Sequence, residues 1–379
     1  MKTKILFISH EASLTGAPLV LLYFMEWLNE HHADAYEVGI LHLKGGEIEG
    51  RFNALAKHVH TIEKATKKSL SFKVANKLSK GSLSRKLKTP TEKCIEGIVK
   101  NDYDIIYANT IVTLPIGVQI KKALNNKPKL IAHVHELEVI IKQHKISISI
   151  INSIDRFIAV SNLVKSNLQE MFSLNQERID VVYEFSKIEI NKELVKNSTN
   201  KFIVGGSGFV HWRKGHDLFI QVARYLSENH KNIKIEFCWV GSISEREEEI
   251  IKADLKKMNL LDKVKFVGKH NNPEQFFNQF DVFLMTSRED PFPLVCIEVG
   301  MLGKPIICFD KATGTQEMLE SGGGKIVPYL SIEKMANAIL EYYNEKDLLE
   351  KDSIMIKDIF SVFDPEHQCP KIFKILKSI

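Results

Sequence analysis

Short apolar runs alternate with longer segments of helical periodicity along the whole chain. In the first half, we predict strands at 5–9, 36–43, 104–109, 129–133, 156–161 and 180–183. Helices are predicted to begin near residues 17, 113, 137 and 162. Strands that alternate with helices in this way are typical of a parallel sheet flanked by helices.

The second half repeats this rhythm. Strands are predicted at 202–206, 234–240, 264–267, 282–286, 305–309 and 324–327. The helices between and after them are predicted at 216–229, 245–259, 273–279, 294–302 and 331–344. With 379 residues, the chain is too long for one ordinary core. The fold class is therefore α/β, with two doubly wound, Rossmann-like domains in tandem.

A polar stretch that loses strand character separates the two halves. We place the first domain at 1–185, a hinge or linker at 186–201 and the second domain at 202–362. The last segment, 363–379, is helical in pattern but precedes no strand. We expect this helix to pack elsewhere, for instance back on the first domain.

Composition narrows the class of protein. The chain is 44% hydrophobic and 26% charged, which is ordinary for a soluble globular protein, and it has no apolar run of about 18 residues. Its five cysteines are scattered in apolar strings, and the first strand follows the N-terminus directly. We expect a cytoplasmic protein with reduced thiols. A net charge of +5 is too small for a dedicated nucleic-acid binder.

The positive charge is concentrated in residues 64–93, which hold ten Lys and Arg residues and one acid, Glu92. Leu70, Val74 and Leu78 recur there at helical spacing. One interpretation is an amphipathic helix whose basic face makes peripheral contact with an anionic membrane, on its inner side. The other is a solvated helix or a partly mobile loop.

Two carboxylates eight positions apart dominate the segment S-R-E-D-P-F-P-L-V-C-I-E, residues 287–298. Asp290 precedes a predicted helix and can accept hydrogen bonds from sugar hydroxyls, while Glu298 in the first turns can bind a vicinal diol such as a ribose. Acids near a helix start also simply offset the helix dipole, so both interpretations stay open.

Two glycine-containing loops precede helices. Gly16 lies in S-H-E-A-S-L-T-G-A-P, where exposed backbone amides can bind an anion or the glycine can merely make a tight turn. In V-G-G-S-G-F-V-H-W-R-K-G, Gly208 is followed by Arg213 and Lys214 at the start of the next helix. These cations could bind a diphosphate without a metal, or form a solvent-facing basic pair.

His133 ends a predicted strand, and His135 follows two positions later. No third ligand follows at suitable spacing, so we expect no metal site. A histidine at a strand end can reach a ligand at the sheet rim, and it can equally be hydrogen-bonded inside the sheet edge. The sequence has no Walker loop, no H-E-x-x-H, no G-x-S-x-G and no D-x-D.

These segments, in this order and spacing, resemble the retaining GT-B glycosyltransferases of family 4. The resemblance implies two domains that face each other across a cleft, with the donor in the second and most of the acceptor side in the first. It implies four catalytic residues, namely His135, Arg213, Lys214 and Asp290. The implied substrate-binding residues are Gly16, Ala17, Gly208, Phe292, Pro293, Leu294 and Glu298.

The chain departs from the family pattern at two places. The family has Glu where this sequence has Asp290, and it has an arginine five residues before the lysine, where this sequence has Phe209. Arg213 is a candidate substitute for that arginine.

The resemblance implies transfer of a hexose or related sugar from a nucleotide-diphosphate sugar, with retention and without any cofactor. The acceptor hydroxyl would belong to a sugar, a lipid-linked or a protein-linked acceptor in cell-surface polysaccharide or glycoconjugate assembly. Two alternatives remain at this point: a non-catalytic nucleotide-sugar-binding protein, and a nucleotide-sugar 2-epimerase.

Overall fold

The computed structural model describes residues 2–62, 88–188 and 201–379. Residues 64–87 of the basic segment and 189–200 of the predicted linker lie outside the described residues. The chain divides into two compact units. The first comprises Met1–Ala159, Leu168–Asp180 and Ile372–Ile379, and the second comprises Val160–Asn167 and Val181–Lys371. The domain limits read from the sequence stay a prediction.

The first unit contains a seven-stranded sheet in the order β3-β2-β1-β4-β5-β6-β7, and from β3 to β6 the neighbouring strands run parallel. Its strands are β1 Thr3–Ser9, β2 Tyr36–His42, β3 His58–Thr61, β4 Ile105–Asn109, β5 Lys129–Val134, β6 Arg156–Ala159 and β7 Ile179–Val181. All five residues of β4 are buried. A strand with both faces covered in this way belongs to the middle of a doubly wound sheet.

The second unit contains a six-stranded sheet in the order β10-β9-β8-β11-β12-β13. Its strands are β8 Phe202–Ser207, β9 Ile235–Val240, β10 Val264–Phe266, β11 Val282–Met285, β12 Ile306–Phe309 and β13 Gly324–Val327. In both sheets the strand order reverses beside the first strand, between β1 and β4 and between β8 and β11. Ligands of doubly wound folds bind at the carboxyl ends of the strands at such a switch point.

The helices before the second sheet are α1 Gly16–His32, α2 Glu49–Leu55, α3 Pro90–Val99, α4 Leu114–Ala123, α5 Glu138–Gln143, α6 Ile148–Asn152 and α7 Asn162–Phe172. Those after its first strand are α8 His216–Asn229, α9 Glu245–Lys257, α10 Glu274–Phe277, α11 Leu294–Met301, α12 Gln316–Leu319, α13 Ile332–Asn344, α14 Lys346–Phe360 and α15 Pro365–Lys377. Within the described ranges, every helix is too short or too polar to cross a bilayer.

The predicted α/β class is confirmed, and each predicted strand is present in the structure. Among the described residues, six elements were not predicted: β3, α2, α3, α6, α12 and α14. Strand β3 is a sheet edge whose residues alternate between partly buried and exposed, so His58–Thr61 has no apolar run that could reveal it. Glu92, the single acid of the basic segment, forms a capping box with Thr89 at the start of α3. Its place in an otherwise basic stretch is thus explained by local structure.

Candidate functional site

Most of the predicted site residues of the second unit follow two adjacent strands, β8 and β11, and therefore lie at the same edge of the sheet. After β8 the chain passes Gly208, forms a single 3₁₀ turn at Trp212–Lys214 and enters α8. After the neighbouring β11 it runs through the loop 286–293 into α11. The structure therefore brings Gly208, Arg213, Lys214 and Asp290 to the switch point of the second sheet, although the first three precede Asp290 by more than 70 positions.

A glycine lets these two loops touch. Gly215 has φ +71°, and a Cβ atom there would lie 2.0 Å from the carbonyl oxygen of Thr286. In return, the Thr286 hydroxyl donates to the Lys214 carbonyl at 3.2 Å, and the Arg288 amide donates to the Arg213 carbonyl at 2.8 Å. The backbone of the 3₁₀ turn is thus fixed against the loop that carries Asp290.

Arg288 adds a second tie between the same elements. Its guanidinium donates two hydrogen bonds to the carboxylate of Asp217, at 2.9 and 2.7 Å, and one to the carbonyl of Trp212 at 2.7 Å. Paired bonds of this kind fix orientation as well as distance. Arg288 therefore braces the first turn of α8 against the loop after β11, a role that the sequence motif did not reveal.

Asp290 is the buried counter-ion of the predicted cations. Its side chain accepts hydrogen bonds from Lys214 Nζ at 2.6 Å and from the Ser287 hydroxyl at 3.1 Å, and Arg213 lies 3.3 Å away. Burial alone would raise the pKa of Asp290, but Lys214 and Arg213 more than offset it and hold the pKa below its usual value. Asp290 is therefore ionised at neutral pH.

A second buried carboxyl, Glu184, faces this cluster and was not predicted as a site residue. Burial raises its pKa well above the usual value, and the charge of Asp290 adds to the rise, while Lys214 and Arg213 oppose it. The raised pKa favours the neutral form of Glu184, and protonation of this carboxyl leaves less negative charge beside Arg213 and Lys214. The polar stretch around Glu184 favoured a hinge in the sequence, which concealed the residue.

Glu298 lies on α11, the helix that follows the Asp290 loop. It accepts a hydrogen bond from the Ser186 hydroxyl at 3.0 Å, and burial raises its pKa to about 6. Burial also raises the pKa of the Cys296 thiol, and both Asp290 and Glu298 add to that rise. Both carboxyls of the D-x₇-E pattern thus act on the same buried thiol.

The other predicted residues of the segment 287–298 have buried side chains. Phe292 is buried and its ring lies 5.0 Å from that of Tyr183 and 5.4 Å from that of Phe363. Pro293 precedes the first turn of α11 and Leu294 begins it, and both are buried. A ligand at this helix start would meet their backbone in preference to their side chains.

Phe209, at the position of the missing family arginine, is 53% exposed.

The first unit has its own set of polar groups at the switch point between β1 and β4. Gly16 and Ala17 begin α1, and the Ala17 carbonyl accepts a hydrogen bond from Asn109 Nδ2 at 2.9 Å. Asn109 Oδ1 in turn lies 2.9 Å from His135 Nε2. The predicted residues Gly16, Ala17 and His135 are therefore joined through Asn109, which the sequence did not single out.

The two histidines of this edge are both neutral. Burial lowers the pKa of His135 to about 3 and that of His133 well below its usual value. His133 Nδ1 lies 2.7 Å from the Tyr107 hydroxyl, and the two imidazole centroids are 4.1 Å apart. In the described ranges, no group of three or more His, Cys, Asp or Glu side chains is arranged to hold a metal ion.

Both halves of the chain match known families. Residues 23–185 match the family model described as Glycosyltransferase Family 4, and residues 186–358 match Glycosyl transferases group 1. This chain belongs to the group 1, family 4-like glycosyltransferases. Its two Rossmann-like sheets are those of the GT-B fold, as the solved structures below also show.

Curated relatives of this glycosyltransferase match it over part of their length. An uncharacterized glycosyltransferase of Haemophilus influenzae is 25% identical over 213 residues, which are 55% of this chain and 58% of the relative. The lipopolysaccharide core biosynthesis mannosyltransferase LpsB of Rhizobium meliloti is 27% identical over 176 residues, 44% of this chain and 48% of LpsB. The chain thus spans about half the length of these relatives.

One solved structure of similar fold matches this chain over almost its whole length. Anabaena HepE, crystallised in complex with UDP-glucose, superposes with a TM-score of 0.75 at 21% identity, covering 99% of this chain and 100% of HepE. At that identity the likeness shows the fold alone.

Proposed function

We propose that this glycosyltransferase moves a hexose or related sugar from a nucleotide-diphosphate sugar to an acceptor hydroxyl, with retention at the anomeric carbon and without a metal ion. The observation that carries the proposal is the cluster of Arg213 and Lys214 around the buried carboxylate of Asp290, at the switch point of the second sheet. His135 and the loop at Gly16 and Ala17 would serve the acceptor side from the first unit.

The cluster is suited to a leaving diphosphate. Cleavage of the sugar–phosphate bond builds negative charge on the diphosphate, and cations held in place beforehand stabilise that charge without reorganisation. Asp290 holds the two cations in place before the donor binds, because it accepts a hydrogen bond from Lys214 and forms an ion pair with Arg213. The Arg213 side chain remains 27% exposed and that of Lys214 17% exposed, so a ligand can reach both.

The backbone at Gly208 lies beside the Lys214 side chain. Gly208 has φ +141°, and a Cβ atom there would lie 3.1 Å from the Lys214 side chain. A side chain at this position would crowd the aliphatic part of Lys214. We therefore assign the backbone at Gly208 to the phosphates, and Glu298 to the diol of the ribose.

The protein's own cations would replace the divalent metal that other nucleotide-sugar enzymes use. Transfer in the presence of excess EDTA, at the rate measured without it, supports that assignment. Loss of transfer on chelation, restored by Mg²⁺ or Mn²⁺, would contradict it.

Relatives point to the class of acceptor and to the first donors to try. LpsB is named as a mannosyltransferase of lipopolysaccharide core biosynthesis, and another relative, from Staphylococcus aureus, as a poly(ribitol-phosphate) alpha-N-acetylglucosaminyltransferase. HepE was crystallised with UDP and with UDP-glucose. We infer a sugar, lipid-linked or protein-linked acceptor of cell-surface polysaccharide or glycoconjugate assembly. A cytoplasmic location, with residues 64–93 on the inner face of the membrane, remains part of this proposal.

The deciding experiment incubates the protein with a panel of UDP- and GDP-sugars, with and without an acceptor extract, and follows product by mass spectrometry. Transfer supports the proposal, and NMR of the anomeric proton of the product tests retention. Binding without turnover identifies a sensor, and interconversion of free nucleotide sugars identifies an epimerase. Lys214→Met removes the ammonium group assigned to the diphosphate, so we expect it to lower transfer strongly. Lys252→Met, which removes an exposed lysine on α9, is the matched control and should leave transfer unchanged.

A further inference from the structure

Asn109 is the last residue of β4, and it is fully buried at the rim of the first sheet. Its side-chain amide makes two hydrogen bonds in different directions. Nδ2 lies 2.9 Å from the carbonyl oxygen of Ala17, and Oδ1 lies 2.9 Å from Nε2 of His135. One amide thus joins the start of α1 to the residue that follows β5.

The chemistry of these partners allows one orientation of the amide. A backbone carbonyl can only accept a hydrogen bond, so the NH₂ group of Asn109 must face Ala17. Its oxygen then faces His135 and can only accept. His135 Nε2 must therefore carry a proton. Because the imidazole is neutral, Nδ1 carries none and is the acceptor of the ring.

The backbone around Asn109 holds the amide in this position. The Thr110 amide donates to the His133 carbonyl at 2.8 Å, with Thr110 at φ +87°, a conformation that is rare for a β-branched residue. The Ile111 amide donates to the Glu136 carboxylate at 3.1 Å. The turn after Asn109 is thus tied to β5 and to the residues that follow it, which include His135.

We infer that Asn109 is a positioning residue, which sets the Nε2–H tautomer of His135 and holds its imidazole ring in place. The catalytic role of His135 rests on the proposed function; the tautomer does not. Asn109 also couples His135 to the loop at Gly16 and Ala17, so that a shift of one moves the other.

The tautomer can be measured without any substrate. Long-range ¹H–¹⁵N correlation spectra of protein labelled with ¹⁵N-histidine report which imidazole nitrogen carries the proton. We expect pure Nε2–H for His135 in the unaltered protein. In Asn109→Leu, which can neither accept nor donate, we expect a mixture of tautomers or a change to Nδ1–H. Asn101→Leu, an asparagine in the loop before β4, is the matched control and should leave His135 unchanged.

Asn109→Asp gives an independent readout if the leucine variant does not fold. A carboxylate still accepts from Nε2–H but adds negative charge, so the tautomer should persist while the pKa of His135 rises by at least about one unit. With substrates identified, Asn109→Leu should lower kcat at least about tenfold with little change in the donor KM.

An Nδ1–H tautomer in the unaltered protein, or an unchanged Nε2–H tautomer in Asn109→Leu, would overturn the inference. The same holds if Asn109→Asp leaves the His135 pKa where it was. Absence of sugar transfer by the unaltered protein would instead count against the proposed function, and the NMR result would stand.

Discussion

Removal of the Lys214 ammonium tests whether the cation cluster is preassembled around Asp290. Lys214→Met keeps most of the side-chain length but leaves the carboxylate of Asp290, which is 4% exposed, without its partner at 2.6 Å. Breaking a buried ion pair costs about 3–5 kcal/mol. Because Arg213 remains 3.3 Å away, we expect the lower end, about 3 kcal/mol of unfolding free energy.

The double-mutant cycle isolates the pair from other effects. Asp290→Asn removes the buried charge and leaves two cations that reach solvent, so we expect a smaller loss, about 2 kcal/mol. The double variant Lys214→Met/Asp290→Asn lacks both the ammonium and the carboxylate, so no carboxylate is left buried without its lysine. We expect about 3 kcal/mol for the double variant, hence a coupling of about 2 kcal/mol.

The assay is urea unfolding at pH 7.5, followed by tryptophan fluorescence in a Trp27→Phe background. Trp212 and Trp239 then report on the second unit alone. Lys252→Met, which removes an exposed pair within α9, should change stability by less than about 0.5 kcal/mol. If the two single losses simply add up in the double variant, or if Lys214→Met is as mild as the control, the cluster is not preassembled as described.

Three further predictions use other parts of the molecule. Glu298 has a pKa of about 6, so donor affinity should fall about tenfold from pH 7 to pH 5 as its carboxylate is protonated. In calorimetric titrations, Glu298→Gln should make donor affinity nearly independent of pH over this range. An equal fall in the variant would argue against the contact between Glu298 and the diol. The pKa of His135 in the folded protein, about 3, lies below the unfolded value of 6.5, so its contribution to stability is present above pH 6.5 and is lost as pH falls towards 3. In denaturant titrations, His135→Gln should therefore reduce the stability difference between pH 8 and pH 5 by about 2 kcal/mol, and an unchanged difference would show that the imidazole is not held neutral. Gly215→Ala places a Cβ 2.0 Å from the Thr286 carbonyl oxygen and should cost more than about 2 kcal/mol; a melting temperature equal to that of the unaltered protein would refute the close approach.

The sequence predicts the strands well because parallel strands covered on both faces are continuous apolar runs. Strand β3 lies at a sheet edge and lacks that signal. Helix α14 was missed for another reason: its charged residues are interspersed with apolar ones, and its burial depends on a partner helix. Phe360 of α14 packs so closely on α11 that a Cβ atom at Gly300 would lie 2.4 Å from its ring.

The site was predictable only where its residues are close in sequence or follow a strand. Arg213 and Lys214 are adjacent, and Asp290 follows a buried strand, so local patterns identify them. Nothing local reveals that Asp290 is their counter-ion, since 76 positions separate it from Lys214. Asn109 and Glu184 acquire their roles only from neighbours that the fold brings near.

The central claim is that the diphosphate of the donor binds at Arg213 and Lys214, and calorimetric titration tests it most directly. UDP and GDP, together with the matching nucleosides, would be titrated into the unaltered protein and into Arg213→Ala. We expect one nucleoside diphosphate to bind at least about tenfold more tightly than its nucleoside, and Arg213→Ala to remove most of that difference. Equal affinity for diphosphate and nucleoside, or an undiminished preference in Arg213→Ala, would contradict the claim.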